Sequence, residues 1–246
     1  MESYHDFSRI YDILIQEDIC YEEIASYIIG RVEKKNRYLD LGCGTGTLSI
    51  LIARHFQETY LVDLSPDMLT EAVSKFTDAG LHHKAYTLSM DEIDFRKEFD
   101  LVTSSIDALN YLLEENQVQE VFKKVFAHLT ADGVFIFDVQ SPYKIKEILG
   151  NNDFVYTTDD LVYTWENFLD NDTVEMSLNF FVPHGDLYER IEEFHMERAY
   201  ESDVLISMLK TAGFQSIELY DNYSKNKPMQ TTERWTIIAR KREQNG

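Results

Sequence analysis

The sequence predicts an α/β protein with a doubly wound sheet, because short apolar runs alternate with helical segments over most of its length. The first run, residues 37–41, leads through alternating glycines into a strongly apolar helix at residues 48–56. Three β-like runs between residues 140 and 199 interrupt this alternation. We therefore expect one α/β core that carries a small antiparallel β insertion.

The glycine turn marks a binding site for a nucleoside-like ligand. Gly42, Gly44 and Gly46 lack a Cβ, so a ligand can lie against the backbone near the amides of the following helix. A dinucleotide fingerprint needs a further glycine at the place of Thr47, which weakens a pyrophosphate-binding interpretation. A dinucleotide-dependent oxidoreductase is therefore the weaker hypothesis.

The pattern Asp40-x-Gly42-x-Gly44-x-Gly46 resembles the first motif of class I S-adenosylmethionine-dependent methyltransferases. The resemblance implies a Rossmann-like, mixed seven-stranded sheet and S-adenosylmethionine as the cofactor. It also implies that Asp40 holds the methionine ammonium, usually through water. The glycines and Thr45 would then admit the ligand.

Asp63 ends the second predicted strand and is the clearest candidate for ribose binding. It lies 21 residues (63 minus 42) after Gly42, close to the roughly 20-residue interval expected for a carboxylate that accepts both ribose hydroxyls. A helix then begins, with Ser65 as its N-cap. The resemblance implies that Leu64 and Met68 pack on the adenine, although Met68 also fits an ordinary apolar helix position.

The third predicted strand, residues 84–88, is followed by the acidic loop 89–95. By resemblance, Asp91 accepts a hydrogen bond from the adenine amine and Met90 donates its backbone N–H to the ring. A solvated loop is the alternative, and Asp94 would serve as well as Asp91.

Two amphipathic helices are predicted before the glycine turn, at residues 4–16 and 21–35. The resemblance implies that Tyr4 and Tyr11 close over the methionine end of the cofactor. Plain docking of an aromatic helix face is the alternative for both tyrosines.

The carboxyl end of the fourth predicted strand, residues 99–106, should border the switch point of the sheet, where ligands bind. Ser105 is therefore expected to face the cofactor, and Asp107 and Asn110 are candidate catalytic residues. Ile106 is expected beside them. We expect Asp107 to be the best-placed general base where the acceptor loses a proton.

Two nucleic-acid chemistries are excluded at this strand end. An Asn/Asp-Pro-Pro-Tyr turn, typical of enzymes that methylate base amino groups, is missing, and Gln140-Ser-Pro-Tyr143 follows the fifth strand instead. The catalytic cysteine of cytosine-C5 enzymes is missing as well.

The insertion, residues 140–199, resembles the lid sheet of small-molecule methyltransferases, and residues 1–139 and 200–246 would form the cofactor-binding domain. Its β-like runs are residues 161–169, 173–182 and 187–200. Trp165, Phe180, His195 and Arg198 are candidate pocket residues, with a structural role as the alternative for each. His195 would be catalytic only if the lid folds inward.

The segment after the insertion matches the terminal helix and closing antiparallel hairpin of that family. The helix is predicted at residues 201–212, and the hairpin strands at residues 214–220 and 232–240. The fifth strand is predicted at residues 133–138 and a helix before it at 117–129. Seven core strands result.

The composition limits the kinds of molecule that the protein is expected to bind. The chain has 246 residues and a formal net charge of −21, which disfavours nucleic acids. Its two cysteines, Cys20 and Cys43, form neither a disulfide framework nor a metal site, and we expect a cytoplasmic protein with no metal and no membrane anchor. The sequence does not decide between a monomer and a homodimer.

The sequence as a whole predicts transfer of a methyl group from S-adenosylmethionine to a small molecule by in-line displacement. The acceptor is not identified by any motif. The alternative is a regulatory or scaffold protein that binds S-adenosylmethionine without turnover.

Overall fold

The computed structural model describes residues 19–157, 161–185 and 187–242. The strands are β1 (Arg37–Leu41), β2 (Glu58–Asp63), β3 (His83–Thr87), β4 (Phe99–Ser104), β5 (Leu129–Gln140), β6 (Phe154–Thr157), β7 (Val162–Asp170), β8 (Thr173–His184), β9 (Leu187–Arg198), β10 (Ser216–Asp221) and β11 (Arg234–Arg240). The helices are α1 (Tyr21–Ile29), α2 (Thr47–Ala53), α3 (Pro66–Asp78), α4 (Glu115–His128) and α5 (Ser202–Ala212).

The predicted mixed seven-stranded sheet is confirmed. Its strand order is β10-β11-β5-β4-β1-β2-β3, in which β11 runs antiparallel to both of its neighbours and the other pairs are parallel. The chain leaves β1 toward β2 and returns to β4 on its other side, so the switch point lies between β1 and β4. Ligands bind at such a point because the loops there part in opposite directions.

Alternating side chains of the central strands build two apolar cores, one on each face of the sheet. On β5, Phe135 and Phe137 pack with Phe122 of α4, whereas Ile136 packs on the opposite face with Ile52 of α2. All five side chains are fully buried. The sheet is therefore covered on both faces, as a doubly wound fold requires.

Several element ends differ from the sequence prediction. Helix α1 ends at Ile29, where the prediction extended to residue 35, because the chain turns at Gly30 and Arg31 donates to the Tyr27 carbonyl at 2.8 Å. Strand β4 ends at Ser104 rather than at residue 106. The next residues, Ile106 and Asp107, adopt left-handed backbone angles with φ of 58° and 54°.

The insertion contains a separate antiparallel sheet in the order β6-β7-β8-β9. The sequence predicted three of these strands and missed β6, which is only four residues long. It pairs with β7 through Phe154 opposite Trp165. Its side chains thereby extend the inner face of the sheet. None of the helices in the described ranges is long and apolar enough to cross a membrane.

Arg198 anchors the end of β9 to the core instead of lining a pocket, which corrects the sequence prediction. Its guanidinium donates to the Leu113 carbonyl at 2.7 Å and to Glu115 at 3.1 Å. Tyr200, two residues further on, is buried and its hydroxyl donates to the Leu112 carbonyl. These contacts fix the last strand of the insertion against the segment that begins α4.

Replacing this anchor should destabilise the protein. Arg198→Ala leaves the Leu113 carbonyl without its donor, so we expect the free energy of unfolding to fall by about 1–2 kcal/mol. Arg190→Ala is the control, because Arg190 lies on the same strand but is exposed, and its recorded partners are the partly exposed Asn179 and the exposed Glu192. Urea unfolding should show a change of at most about 0.5 kcal/mol for the control. Equal losses in both variants would contradict the anchor assignment.

Candidate active site

A cleft of about 580 Å³ opens at the carboxyl ends of β1, β2 and β4, at the switch point of the sheet. Most of the residues that the sequence predicts to contact the cofactor line this cleft. They are Asp40, Gly42, Gly44, Thr45, Asp63, Leu64, Met68, Met90 and Ser105.

The three glycines of the turn serve different purposes. All have left-handed φ, between 53° and 74°, and a Cβ on Gly44 would meet no described atom within 4 Å because Gly44 faces the open cleft. A Cβ on Gly42 would lie 2.6 Å from the Ala108 Cβ, and one on Gly46 would lie 2.9 Å from the Ala72 Cβ. Gly46 therefore allows α2 to pack on α3 and does not line the cleft, contrary to its predicted role as a ligand contact.

Asp63 joins the glycine turn to the start of α3. Its carboxylate accepts from the Gly44 amide at 2.7 Å and from the Ser65 amide at 2.9 Å. Burial raises the pKa of Asp63, whereas these backbone hydrogen bonds lower it. The side chain still borders the cleft, so its oxygens are positioned to accept further hydrogen bonds from a ligand.

Asp40 is a buried carboxylate at the floor of the cleft. Ser49 donates to one of its oxygens at 2.5 Å and Thr103 donates to the other at 2.6 Å. Burial raises the pKa of Asp40 to about 6, while the hydrogen bonds from Ser49 and Thr103 oppose that rise. The group is therefore ionised at neutral pH and attracts a cation into the cleft.

Only some of the residues predicted to contact adenine line the cleft. Leu64 is 72% exposed and lies with Met68 and Met90 along the cleft wall, which suits a flat apolar ligand. Asp91 is not among the residues that line the cleft, and its carboxylate accepts from the Ser89 hydroxyl. Its predicted contact with the adenine amine is therefore not supported by this arrangement.

Asn110 is a structural residue, which corrects its predicted catalytic role. Its side chain is fully buried, accepts from the Gln140 amide at 2.9 Å and donates to the Arg198 carbonyl at 2.9 Å. It lines neither cavity of the site. All its contacts fasten β5 and β9 to the loop after β4.

Asp107 is committed to an ion pair, so its predicted role as the general base is not supported. Its carboxylate lies 2.6 Å from the Arg234 guanidinium and also accepts from the Gln140 amide nitrogen at 3.2 Å. Asp107 borders a neighbouring cavity rather than the cofactor cleft.

Asp138, at the end of β5, organises this loop and received no role in the sequence analysis. It is fully buried and accepts from the backbone amides of Ile106 at 2.7 Å and Asp107 at 2.8 Å. Tyr223 and Arg234 also donate to it. Like Asp40 and Asp63, it lies at the end of an apolar strand, and that pattern was the available signal.

A second cavity of about 980 Å³ lies between the core and the inner face of the four-stranded sheet. Ile106, Tyr111 and His195 line both this cavity and the cofactor cleft, so the two spaces meet at these side chains. Trp165 and Phe180 line the second cavity as predicted. The sequence analysis did not select Tyr111, which follows Asn110 in the same short turn.

His195 lies inward from β9, the arrangement under which the sequence analysis assigned it a role in catalysis. Its Nδ1 lies 3.2 Å from the Tyr111 hydroxyl. Burial lowers the pKa of His195, and the nearby Asp107 carboxylate partly offsets this. The imidazole is therefore neutral at neutral pH and has a nitrogen able to accept a proton.

Two further predictions concern the tyrosines of the N-terminal helix and a metal ion. Tyr4 and Tyr11, which were predicted to close over the cofactor, lie outside the described residues. Within the described ranges, no group of three or more histidine, cysteine, aspartate or glutamate side chains is arranged to hold a metal ion.

Comparison with known proteins identifies the same kind of domain. Residues 39–133 match the family model described as "Methyltransferase domain". The putative methyltransferase YqeM of Bacillus subtilis is 34% identical over 240 residues, which cover 97% of each chain. The match thus includes the insertion as well as the glycine turn.

A solved structure agrees over nearly the whole chain. It is an S-adenosylmethionine-dependent methyltransferase from Clostridium acetobutylicum, 38% identical with a TM-score of 0.91, covering 96% of this chain and 98% of that one. A shorter match is the dTDP-3-amino-3,4,6-trideoxy-alpha-D-glucopyranose N,N-dimethyltransferase of Streptomyces venezuelae, 30% identical over 118 residues, or 47% of each chain.

Asp63 provides the sharpest test of the cofactor site. Asp63→Ala should weaken S-adenosylmethionine binding by about 2 kcal/mol or more, because it removes acceptors for the ribose hydroxyls and the anchor of the Gly44 amide. Asp67→Ala, in the first turn of α3 and outside the cleft, is the control and should bind normally. Calorimetric titration of both folded variants gives the comparison. Unchanged affinity in Asp63→Ala would remove this residue from the site.

The pKa of Asp40 predicts a pH dependence of cofactor affinity. Protonation of Asp40 removes the negative charge that attracts the methionine ammonium, so affinity should fall as the pH is lowered through about 6. One proton is taken up, which limits the fall to about tenfold per pH unit. Titrations of wild type and Asp40→Asn between about pH 5 and pH 7 measure it. The variant should bind weakly at every pH, and a wild-type profile as flat as the variant's would refute the assignment.

Proposed function

The chain belongs to the S-adenosylmethionine-dependent methyltransferases, and we propose that the acceptor it methylates is a small molecule bound in the second cavity. Residues 140–199 act as its lid. The observation that carries this proposal is the junction at Ile106, Tyr111 and His195, where the second cavity meets the cofactor cleft. An acceptor atom at that junction lies next to the cofactor's reactive side.

The residues of the cleft suit each part of the cofactor. The open face of Gly44 accepts a ligand against the backbone, Asp63 offers acceptors to the ribose, and Asp40 offers negative charge to the methionine ammonium. S-Adenosylmethionine supplies the methyl group from a sulfonium, which is a good leaving group. Little further activation is needed, so positioning of the acceptor and exclusion of water are the main tasks of this chain.

His195 takes the proton when the acceptor must lose one. As the methyl group bonds to an oxygen or nitrogen of the acceptor, the electron pair of the sulfur–carbon bond stays on sulfur and the acceptor's proton passes to the imidazole. The lowered pKa keeps His195 neutral and ready to accept. Tyr111 holds the ring through the contact to Nδ1, and the proposal requires the tautomer in which Nδ1–H donates to the Tyr111 oxygen, so that Nε2 accepts the proton.

Size and charge favour a small acceptor over a nucleic acid. The cavity of about 980 Å³ suits a metabolite, and the net charge of −21 repels a polyanion. One relative is named for methylation of an amino sugar nucleotide.

The two free cysteines favour a reducing compartment, and we place the protein in the cytoplasm. Phe168, an exposed aromatic side chain on the insertion, would suit self-association as a homodimer.

A cofactor-binding regulator without turnover is the competing function, and product formation separates the two. Protein incubated with S-adenosylmethionine and a metabolite extract should release S-adenosylhomocysteine, with one extract component gaining the mass of a methyl group. Release should depend on the extract. Tight cofactor binding with no release in any extract would favour the regulator.

His195 is tested once an acceptor is found. His195→Gln keeps a polar side chain of similar shape but removes the proton acceptor, so kcat should fall by about 10²- to 10⁴-fold for an acceptor that loses a proton. The affinity for S-adenosylmethionine should change little. Glu192→Gln, exposed on the same strand, is the control and should retain wild-type kcat. A His195→Gln variant with unchanged kcat and pH profile would exclude His195 as the base.

A further inference from the structure

The second cavity contains a buried carboxylate that the methyl-transfer chemistry does not use. We propose that Glu197 binds a positively charged group of the acceptor, so that the substrate class is a small organic cation methylated at a different atom. This inference rests on the proposed function of the second cavity. It goes further by specifying the charge that the cavity selects.

Glu197 is buried, and one of its two carboxyl oxygens lacks a hydrogen-bond partner. The residue is 2% exposed and borders the cavity, and its Oε2 has no donor among the described residues. Burial raises the pKa of Glu197 well above its usual range and the nearby Asp107 carboxylate adds to the rise, whereas Arg234 and Lys144 oppose it. Burial thus favours the protonated acid, and a bound cation would favour the ionised carboxylate by supplying charge and donors.

The charges around the cavity favour the same conclusion. Six acidic residues line it against two basic ones. The acidic residues are Glu23, Asp107, Asp138, Glu197, Asp221 and Glu233, and the basic residues are Lys144 and Arg234. Both basic side chains are already paired, Arg234 with Asp107 and Asp138, and Lys144 with Glu233. Arg234 and Lys144 therefore act on Glu197 only at longer range, and among the described residues neither forms a direct ion pair with it.

A neighbouring amide supplies a second acceptor without a donor. Gln140 donates through Nε2 to Asp107, while its buried Oε1 has no hydrogen-bond partner among the residues that the structure describes. Gln140 lines the same cavity and is 8% exposed. Two acceptors that lack donors suit a ligand rich in N–H groups, such as an ammonium or amidinium.

Aromatic rings complete a wall that suits a cation. Phe154 packs on Trp165 with ring centroids 5.6 Å apart, and Tyr163 packs on Tyr156 at 4.6 Å and on Phe180 at 5.6 Å. All five rings line the cavity. The faces of aromatic rings carry negative potential, so they attract a desolvated cation in addition to excluding water.

The spacing along β9 separates the cation from the reacting atom. Glu197 and His195 are two residues apart and lie on the same face of the strand, which places them roughly 7 Å apart along it. His195 lies at the junction with the cofactor cleft, whereas Glu197 borders only the second cavity. An ammonium paired with a carboxylate has no free electron pair, so the group held at Glu197 is a handle and not the nucleophile.

Matched amines and alcohols test the inference without knowledge of the natural acceptor. Calorimetry on the full chain saturated with S-adenosylhomocysteine would compare phenethylamine with 2-phenylethanol and cyclohexylamine with cyclohexanol. Wild type should bind each amine about tenfold or more tightly than its alcohol. Glu197→Gln, which keeps the shape of the side chain, should reduce this preference to about twofold or less. Glu197→Asp should retain part of it.

Glu192→Gln is the matched control, because Glu192 lies on β9 with its carboxylate exposed beside Arg190, and it should keep the wild-type preference. Circular dichroism would establish that every variant is folded. Equal binding of amine and alcohol by wild type, or a preference that survives in Glu197→Gln, overturns the inference. The proposed function fails separately, through the absence of S-adenosylhomocysteine release, so the two results are distinguishable.

Discussion

The geometry of the site depends on the hydrogen bonds and the ion pair that the buried carboxylate of Asp138 makes. Placed at the end of β5, it accepts from the amides of Ile106 and Asp107 and thereby stabilises two non-glycine residues in left-handed backbone conformations. Such conformations cost of order 1 kcal/mol or more each, so they persist where surrounding contacts compensate. Arg234 supplies the compensating charge, and Asp107 and Asp138 raise the pKa of Arg234 although burial lowers it.

This ion cluster also decides how the two cavities are divided. By holding Asp107 against Arg234, it directs that carboxylate away from the cofactor cleft and leaves Ile106 at the junction. In the proposed function, the proton-accepting position belongs to His195, which β9 of the four-stranded sheet places at the junction of the two cavities. Under that proposal the core binds the cofactor, while the insertion provides groups that meet the acceptor.

Asp63 illustrates why the cofactor half was predictable from sequence. A carboxylate at the end of β2 and a glycine at the end of β1 are neighbours in any parallel pair, and the hydrogen bond from the Gly44 amide to Asp63 follows from that pairing. Local pattern and strand order suffice for such contacts. Asn110 shows the limit, since it lies close in sequence to the cleft yet turns into the protein to bind Gln140 and Arg198.

By itself, the sequence determined the α/β class, the glycine turn and the carboxylate at the end of β2, because these follow from periodicity and from residues close along the chain. The mixed seven-stranded sheet was implied by the family resemblance. The tertiary structure alone decided which polar groups meet. Asp138 and Arg234 are 96 residues apart, and Tyr111 and His195 are 84 apart. Long-range pairing of this kind depends on how β11 enters the sheet and how the insertion folds over it, and no local pattern encodes either. For the same reason no local pattern encodes the unsatisfied Oε2 of Glu197, since Arg234 pairs with Asp138 instead.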